Sequence, residues 1–164
     1  MDALDLSILE QLSTAPKAGV REYARRLGVS RATVQSRLTK LSERGIITSY
    51  SPNINPLEMG FPLTADIHCT IAQTELEEVI NGLADIPFVI RADSLAGSED
   101  ISCRVVARDH AHLERVSVMI LNLPGVQRIR TDIVLRRRIP HRVLPLIKDC
   151  LLYTSPSPRD GLLS

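Results

Sequence analysis

Apolar residues recur at helical spacing at Leu4, Ile8, Leu9 and Leu12, behind Asp2, a residue type that caps helix starts, and Pro16 closes the segment. This predicts a first helix. A second, shorter one is predicted from about Val20 to Leu27, burying Tyr23, Ala24 and Leu27, with Gly28 as the left-handed residue that ends it. Ser30 is placed to cap a third helix. There Val34, Leu38 and Leu41 fall on one side, and Gly45 stops the run. Residues 46–50 are β-branched and aromatic-leaning, which predicts a small strand or wing. The turn formers of residues 51–56 and Gly60-Phe61-Pro62 then mark a linker and a boundary.

Beyond that boundary the chain repeats itself at an offset of 37 positions. Leu76, Glu77, Val79, Pro87, Val89, Arg91 and Asp93 correspond to Leu113, Glu114, Val116, Pro124, Val126, Arg128 and Arg130, identical at all but the last pair. Each copy reads as helix, turn at proline, strand, and a β-branched run precedes each helix, at residues 63–72 and 101–108. A duplicated βαβ unit of this kind predicts a four-stranded antiparallel sheet with both helices on one face, the ferredoxin-like βαββαβ arrangement. Two helices cover one face of a sheet carrying Ile67, Val105, Val126 and Ile133. Burial of the other face is therefore expected through sheet-to-sheet or edge-to-edge dimerisation.

Charge changes this picture in one place. Lys and Arg nearly balance Asp and Glu overall, but residues 1–50 hold eight basic against five acidic side chains, and residues 21–41 hold six against one. Such a local excess fits phosphate contact; a solvated helix face is the plainer alternative. Cys69, Cys103 and Cys150 form no C-x-x-C pair, which argues against a disulfide framework or a zinc site and fits a reducing cytoplasm. No leader-like start is seen, and no apolar run approaches the roughly 18 residues of a membrane span.

The second and third helices carry the chemistry. Small Ala24 permits close helix approach, Gly28 turns the chain, Ser30 caps, and Val34 docks the third helix on the second, a combination that reads as helix-turn-helix. With Val34, Leu38 and Leu41 inward, Ala32, Thr33, Gln35, Ser36, Thr39 and Lys40 face outward, short enough to enter a major groove. Gln35 is the best base reader, since its amide pairs bidentately with adenine. Arg31, Arg37, Lys40, Arg25 and Arg26 are placed for phosphates.

Gly97-Ser98-Glu99-Asp100 lies between the second and third predicted strands. Local residues favour a hairpin turn there, and an acidic loop that holds a ligand ammonium is the alternative. The four histidines are scattered, and His110 with His112 has no third ligand nearby, so neither a metal nor a cofactor is expected. No nucleophile elbow, Walker loop or dinucleotide fingerprint is present, and no catalytic residue is assigned. Arg136-Arg137-Arg138 with His141 and Arg142 reads as a solvated strand end that adds nonspecific DNA affinity at most.

Several marks resemble the leucine-responsive/asparagine-type (Lrp/AsnC, feast-famine) regulators: Asp2-Ala-Leu-Asp5-Leu-Ser-Ile-Leu9, Leu27-Gly-Val-Ser30, Arg37-Leu-Thr-Lys-Leu41, Arg44-Gly-Ile-Ile47 and Gly97-x-x-Asp100. The resemblance spans residues 2 to about 145. It implies an α+β chain, a winged helix-turn-helix joined to a RAM-type ferredoxin-like domain, and dimers that assemble further. It also implies an effector, usually an amino acid, bound near the Gly-x-x-Asp loop and the last strand, here Gly97, Ser98, Asp100, Thr131 and Asp132. Two departures stand out. Glu99 occupies a position where an aromatic residue is common, and Ala15-Pro16-Lys17 replaces an Asp-Gly-Arg-like turn.

The expected domains are 1–50 for DNA binding, 51–62 as linker, 63–145 for effector sensing and oligomerisation, and 146–164 as a tail, disordered or foreign to the native chain. The expected function is a cytoplasmic, nucleoid-associated transcriptional regulator that binds double-stranded DNA as a homodimer or higher homo-oligomer under control of a small effector. The alternatives are a ligand-binding or enzymatic ferredoxin-like module and a nonspecific DNA-architectural protein.

Overall fold

The computed structural model describes residues 1–154. These form two compact units, Met1–Pro52 with the chain from Ile139 onward, and Asn53–Arg138.

The first unit is built on α1 (Ala3–Thr14), α2 (Val20–Leu27) and α3 (Arg31–Glu43). A reciprocal cap starts α1: the Asp2 carboxylate accepts the Asp5 N–H, and the Asp5 carboxylate accepts the Asp2 N–H, both at 3.0 Å. Two donors that a helix start leaves open are thereby satisfied. Gly28 ends α2 in the left-handed region at φ +66°, and its N–H returns to the carbonyls of Ala24 and Arg25. Ser30 then caps α3 by accepting the Thr33 N–H at 3.1 Å. Ile8, Tyr23, Ala24, Val34, Leu38 and Leu41 close into one buried cluster. The Tyr23 hydroxyl leaves it to donate to the Ala15 carbonyl at 2.7 Å, tying α2 to the end of α1.

The strand or wing expected at residues 46–50 does not form. The N–H groups of Ile46 and Ile47 both return to the Leu41 carbonyl, at 2.9 and 3.2 Å, so the segment finishes α3. Among the described residues no strand lies beside it to share a ladder, and Ile47 packs on the helical cluster instead.

The expectation of a structureless tail from residue 146 is also corrected. Leu144–Thr154 is a helix, α6, that belongs to the first unit and packs against α1 with Ile147 buried. Leu144, Ile147 and Leu151 recur at helical spacing, a signal outweighed in the sequence by the Pro and Ser residues that follow. The remainder of the expected tail, 155–164, lies outside the described residues.

The second unit holds β1 (Leu63–Ile71), α4 (Leu76–Ala84), β2 (Val89–Ser94), β3 (Ile101–Ala107), α5 (His110–Leu121) and β4 (Val126–Ile133). The four strands form one antiparallel sheet in the order β2-β3-β1-β4. This is the α+β, ferredoxin-like order that the duplicated pattern implies. Ile67 and Cys69 of β1 and Ile101, Cys103 and Val105 of β3 bury themselves under Val79 and Leu83 of α4 and Val116 and Ile120 of α5.

One part of the sequence expectation fails on this sheet. Ile67 and Val105 point to the helix-covered face and are fully buried, Val126 packs against the same core, and Ile133 pairs with buried Ala65 on that same face. Alternation along a strand sends their neighbours the other way. The open face therefore presents Asp66, His68, Thr70, Arg104, Arg128, Arg130 and Asp132. It is polar and ion-paired, so an exposed apolar sheet face supplies no argument for dimerisation. No helix among the described residues is long and apolar enough to cross a membrane.

Candidate functional site

The inner side of α3 is committed to the core: Val34, Leu38 and Leu41 are buried. Its other side is open, with Arg31, Ala32, Gln35, Ser36, Thr39 and Lys40 exposed and Thr33 half-exposed. Local hydrogen bonds divide these residues. The Thr33 hydroxyl sits 2.8 Å from that of Ser30 at the cap, and the Thr39 hydroxyl donates to the Gln35 carbonyl at 3.0 Å. Among the described residues, the side chains of Arg31, Gln35, Ser36 and Lys40 make no intramolecular hydrogen bond or ion pair. They remain available to a partner.

The arginines behave differently from one another. Glu22 receives both Arg25 and Arg26 at 2.5 to 2.9 Å, and these guanidinia, Arg25 first, hold its carboxyl down at about 2. Arg37 reaches from α3 to the Asp2 and Asp5 carboxylates, at 2.5 and 3.1 Å. The Arg37 guanidinium, with help from the Asp5 N–H, lowers the Asp2 carboxyl to about 2. Arg25, Arg26 and Arg37 are thus engaged within the unit, while Arg31 and Lys40 are free.

In the second unit the Gly97-Ser98-Glu99-Asp100 loop joins β2 to β3. Asp100 is tied into the sheet: its carboxylate accepts the Ile71 N–H at 2.8 Å, its N–H donates to the Cys69 carbonyl, and its carbonyl accepts the Leu95 N–H. Glu99 turns outward to the open face of the sheet. It accepts from the Ser98 hydroxyl at 2.7 Å and from Arg130 at 3.1 Å, and both contacts, Ser98 first, pull its pKa down. Arg130 also meets Asp132, which lies 3.3 Å from His68 Nε2.

This chain borders an open pocket of about 350 Å³ lined by His68, Thr70, Glu99, Arg128, Ile129 and Arg130. The structure therefore gathers Ser98 and Asp132 around Glu99 but not the whole expected effector set. Asp100 serves the backbone. Thr131 pairs with Ile67 and so points to the opposite face from Asp132. Sequence reasoning missed His68, Thr70, Arg128 and Arg130. Along β1 the signal was the period of two, since His68 and Thr70 fall between core residues; along β4 the exposed Gln127 and Thr131 beside Arg128 and Arg130 blurred it. Among the described residues, no group of three or more His, Cys, Asp or Glu is arranged to hold a metal ion.

Comparison with known proteins places both units. Residues 1–42 match the AsnC-type helix-turn-helix domain, and residues 64–144 match the Lrp/AsnC ligand binding domain. The HTH-type transcriptional regulator Ptr1 of Methanocaldococcus jannaschii is 31% identical over 137 residues, covering 83% of this chain and 93% of the relative. The structure of E. coli AsnC superposes with a TM-score of 0.82 at 26% identity, covering 88% of this chain and 99% of that one. A feast or famine regulatory protein from M. tuberculosis, complexed with L-methionine, superposes with a TM-score of 0.79 at 30% identity, covering 86% and 96% of the two chains.

Proposed function

The chain belongs to the Lrp/AsnC family of transcriptional regulators, and we propose that it reads duplex DNA with the exposed side of α3. One observation carries this reading: Gln35 and Ser36 project free polar ends from a capped helix whose opposite side is locked into the core. Gln35 pairs with adenine in a major groove, with Ala32 and Thr39 beside it to fit thymine methyls and Thr33 near the helix start. Arg31 and Lys40 contact phosphates and set register. Arg25, Arg26 and Arg37, already engaged by carboxylates, position the helices. Two copies bind together, because a two-fold dimer lays its paired helices in successive grooves of a near-palindromic site. Higher assemblies extend this, and the protein works on the nucleoid in the cytoplasm.

A small effector, an amino acid or a close relative, sits on the open sheet face beside Glu99. The pocket there is of suitable size for one, and the L-methionine complex of the mycobacterial relative supports the class. Gly97 and Ser98 offer the loop edge, Asp132 and Glu99 the acidic groups, and Arg128 and Arg130 the cations. Asp100 braces the loop, and Thr131 supports the strand from the other side. The effector acts by preferring one assembly state, since equal affinity for both shifts nothing. The role is regulatory, without catalysis.

The test is a selection from randomised duplexes with the wild-type protein and with Gln35→Ala. A shared, near-palindromic site that loses discrimination at one position in the variant is expected. Footprints without a common sequence would replace this reading with an architectural one, and turnover of an added amino acid would replace it with an enzymatic one.

A further inference from the structure

Residues 136–142, Arg-Arg-Arg-Ile-Pro-His-Arg, place four arginines and a histidine in seven positions, and no acidic residue occurs between Asp132 and Asp149. Every one of the seven is exposed, and the segment forms neither helix nor strand. Its backbone leaves the sheet just before: the last ladder-like bond is from the Val134 N–H to the Thr64 carbonyl.

The contrast with arginines elsewhere is informative. Arg25, Arg26, Arg37, Arg91, Arg104 and Arg130 each meet a carboxylate. Among the described residues, Arg136, Arg137, Arg138 and Arg142 meet none. Four like charges within seven residues of sequence repel one another. A polyanion relieves that repulsion and releases its own counterions on binding. An irregular segment lacks the regular helix or ribbon that enters a groove to read bases, whereas guanidinia on flexible stems suit phosphate oxygens.

We infer that residues 136–142 are a second DNA-binding element, distinct from α3, that grips the phosphate backbone without regard to sequence. Duplex DNA is favoured as the polyanion because the same chain carries a helix-turn-helix. The inference rests on the DNA-binding reading above. It adds to that reading a division of labour, with α3 supplying discrimination and this segment supplying affinity.

The experiment compares wild type with a quadruple variant, Arg136→Gln, Arg137→Gln, Arg138→Gln and Arg142→Gln, and with the matching quadruple Arg→Lys variant. Affinity for the selected site within a long duplex is measured across a salt series. The Gln variant is expected to lower the slope of log affinity against log salt by about 2 to 4 units, at roughly 0.9 per phosphate contact, with the base preference of the site unchanged. The Lys variant keeps the charge and is expected to keep the slope. Thermal unfolding of all three proteins checks that the fold is retained, as full exposure of the segment requires.

A Gln variant with the wild-type slope, while wild type binds its site, overturns this inference alone. A wild type that ignores every duplex overturns the α3 reading and this one with it. Retained DNA affinity in the Gln variant together with lost binding to vesicles containing phosphatidylserine overturns it in favour of a membrane surface.

Discussion

Arg37 of α3 lies between two carboxylates at the start of α1, its guanidinium 2.5 Å from Asp2 and 3.1 Å from Asp5, across 35 and 32 residues of sequence. The same two acids build the reciprocal cap of α1. One cluster thus secures the beginning of the first helix and fixes α3 against it. Arg37 is half-buried there, with 31% of its side chain exposed, unlike the free Arg31 and Lys40.

From this geometry, Arg37→Ala is expected to lower the thermal midpoint and weaken DNA binding without changing the salt slope. Lys40→Ala is expected to leave the midpoint unchanged and to reduce the slope by about one unit. A salt titration of both variants beside thermal unfolding separates the two roles. A slope in Arg37→Ala that falls as far as in Lys40→Ala would move Arg37 to the phosphate-contact group.

Acid should release the same cluster. The Asp2 carboxyl is lowered from the ordinary 3.8 to about 2, by Arg37 first. A group with a depressed folded pKa contributes fully above its unfolded value and loses that contribution as pH falls through the folded one. The stability advantage of wild type over Asp2→Asn is therefore expected to hold above pH 4 and to shrink from about pH 4 to pH 2. Thermal midpoints measured across that range test it. An advantage that instead grows with acid would contradict the ion pair.

Alternation along β1 separates the core from the pocket. Ile67 is fully buried under the helices, whereas Thr70 faces the pocket on the other side. Ile67→Ala is expected to cost about 2 to 5 kcal/mol of stability by leaving a cavity. Thr70→Ala is expected to stay within about 0.5 kcal/mol of wild type. Denaturant unfolding measures both, and equal losses would be inconsistent with the two-faced sheet.

Arg128 lines the pocket with no ion-pair partner among the described residues, while Arg130 is held by Glu99 and Asp132. With L-methionine, the ligand of the mycobacterial relative, as the probe, allosteric coupling of the usual size, about 1 to 3 kcal/mol, is expected to change operator affinity by about 5- to 150-fold. Arg128→Gln is expected to abolish most of that change while leaving affinity without effector near wild type. An undiminished response, read by DNA titration with and without L-methionine, would remove Arg128 from the groups that contact the effector.

Much of the first unit was legible because its signals are local. Asp2, Gly28 and Ser30 act on backbone groups within four residues of themselves, and Val34, Leu38 and Leu41 follow the helical period directly. The duplication likewise revealed the sheet's architecture, since a repeated βαβ pattern has few ways to pack.

What the sequence left open depends on partners far away along the chain. Whether residues 46–50 become a strand depends on a neighbouring strand, and none is there among the described residues. Whether Arg37 meets a phosphate or a carboxylate depends on where α1 begins relative to α3. The sequence determined which residues are apolar and how they recur, and so the elements and their order. Only the tertiary structure decided that Ile67 turns inward, that Thr131 and Asp132 part company, and that His68, Thr70, Arg128 and Arg130 share one face. Those outcomes follow from strand register, which is set by packing the whole sheet against its helices.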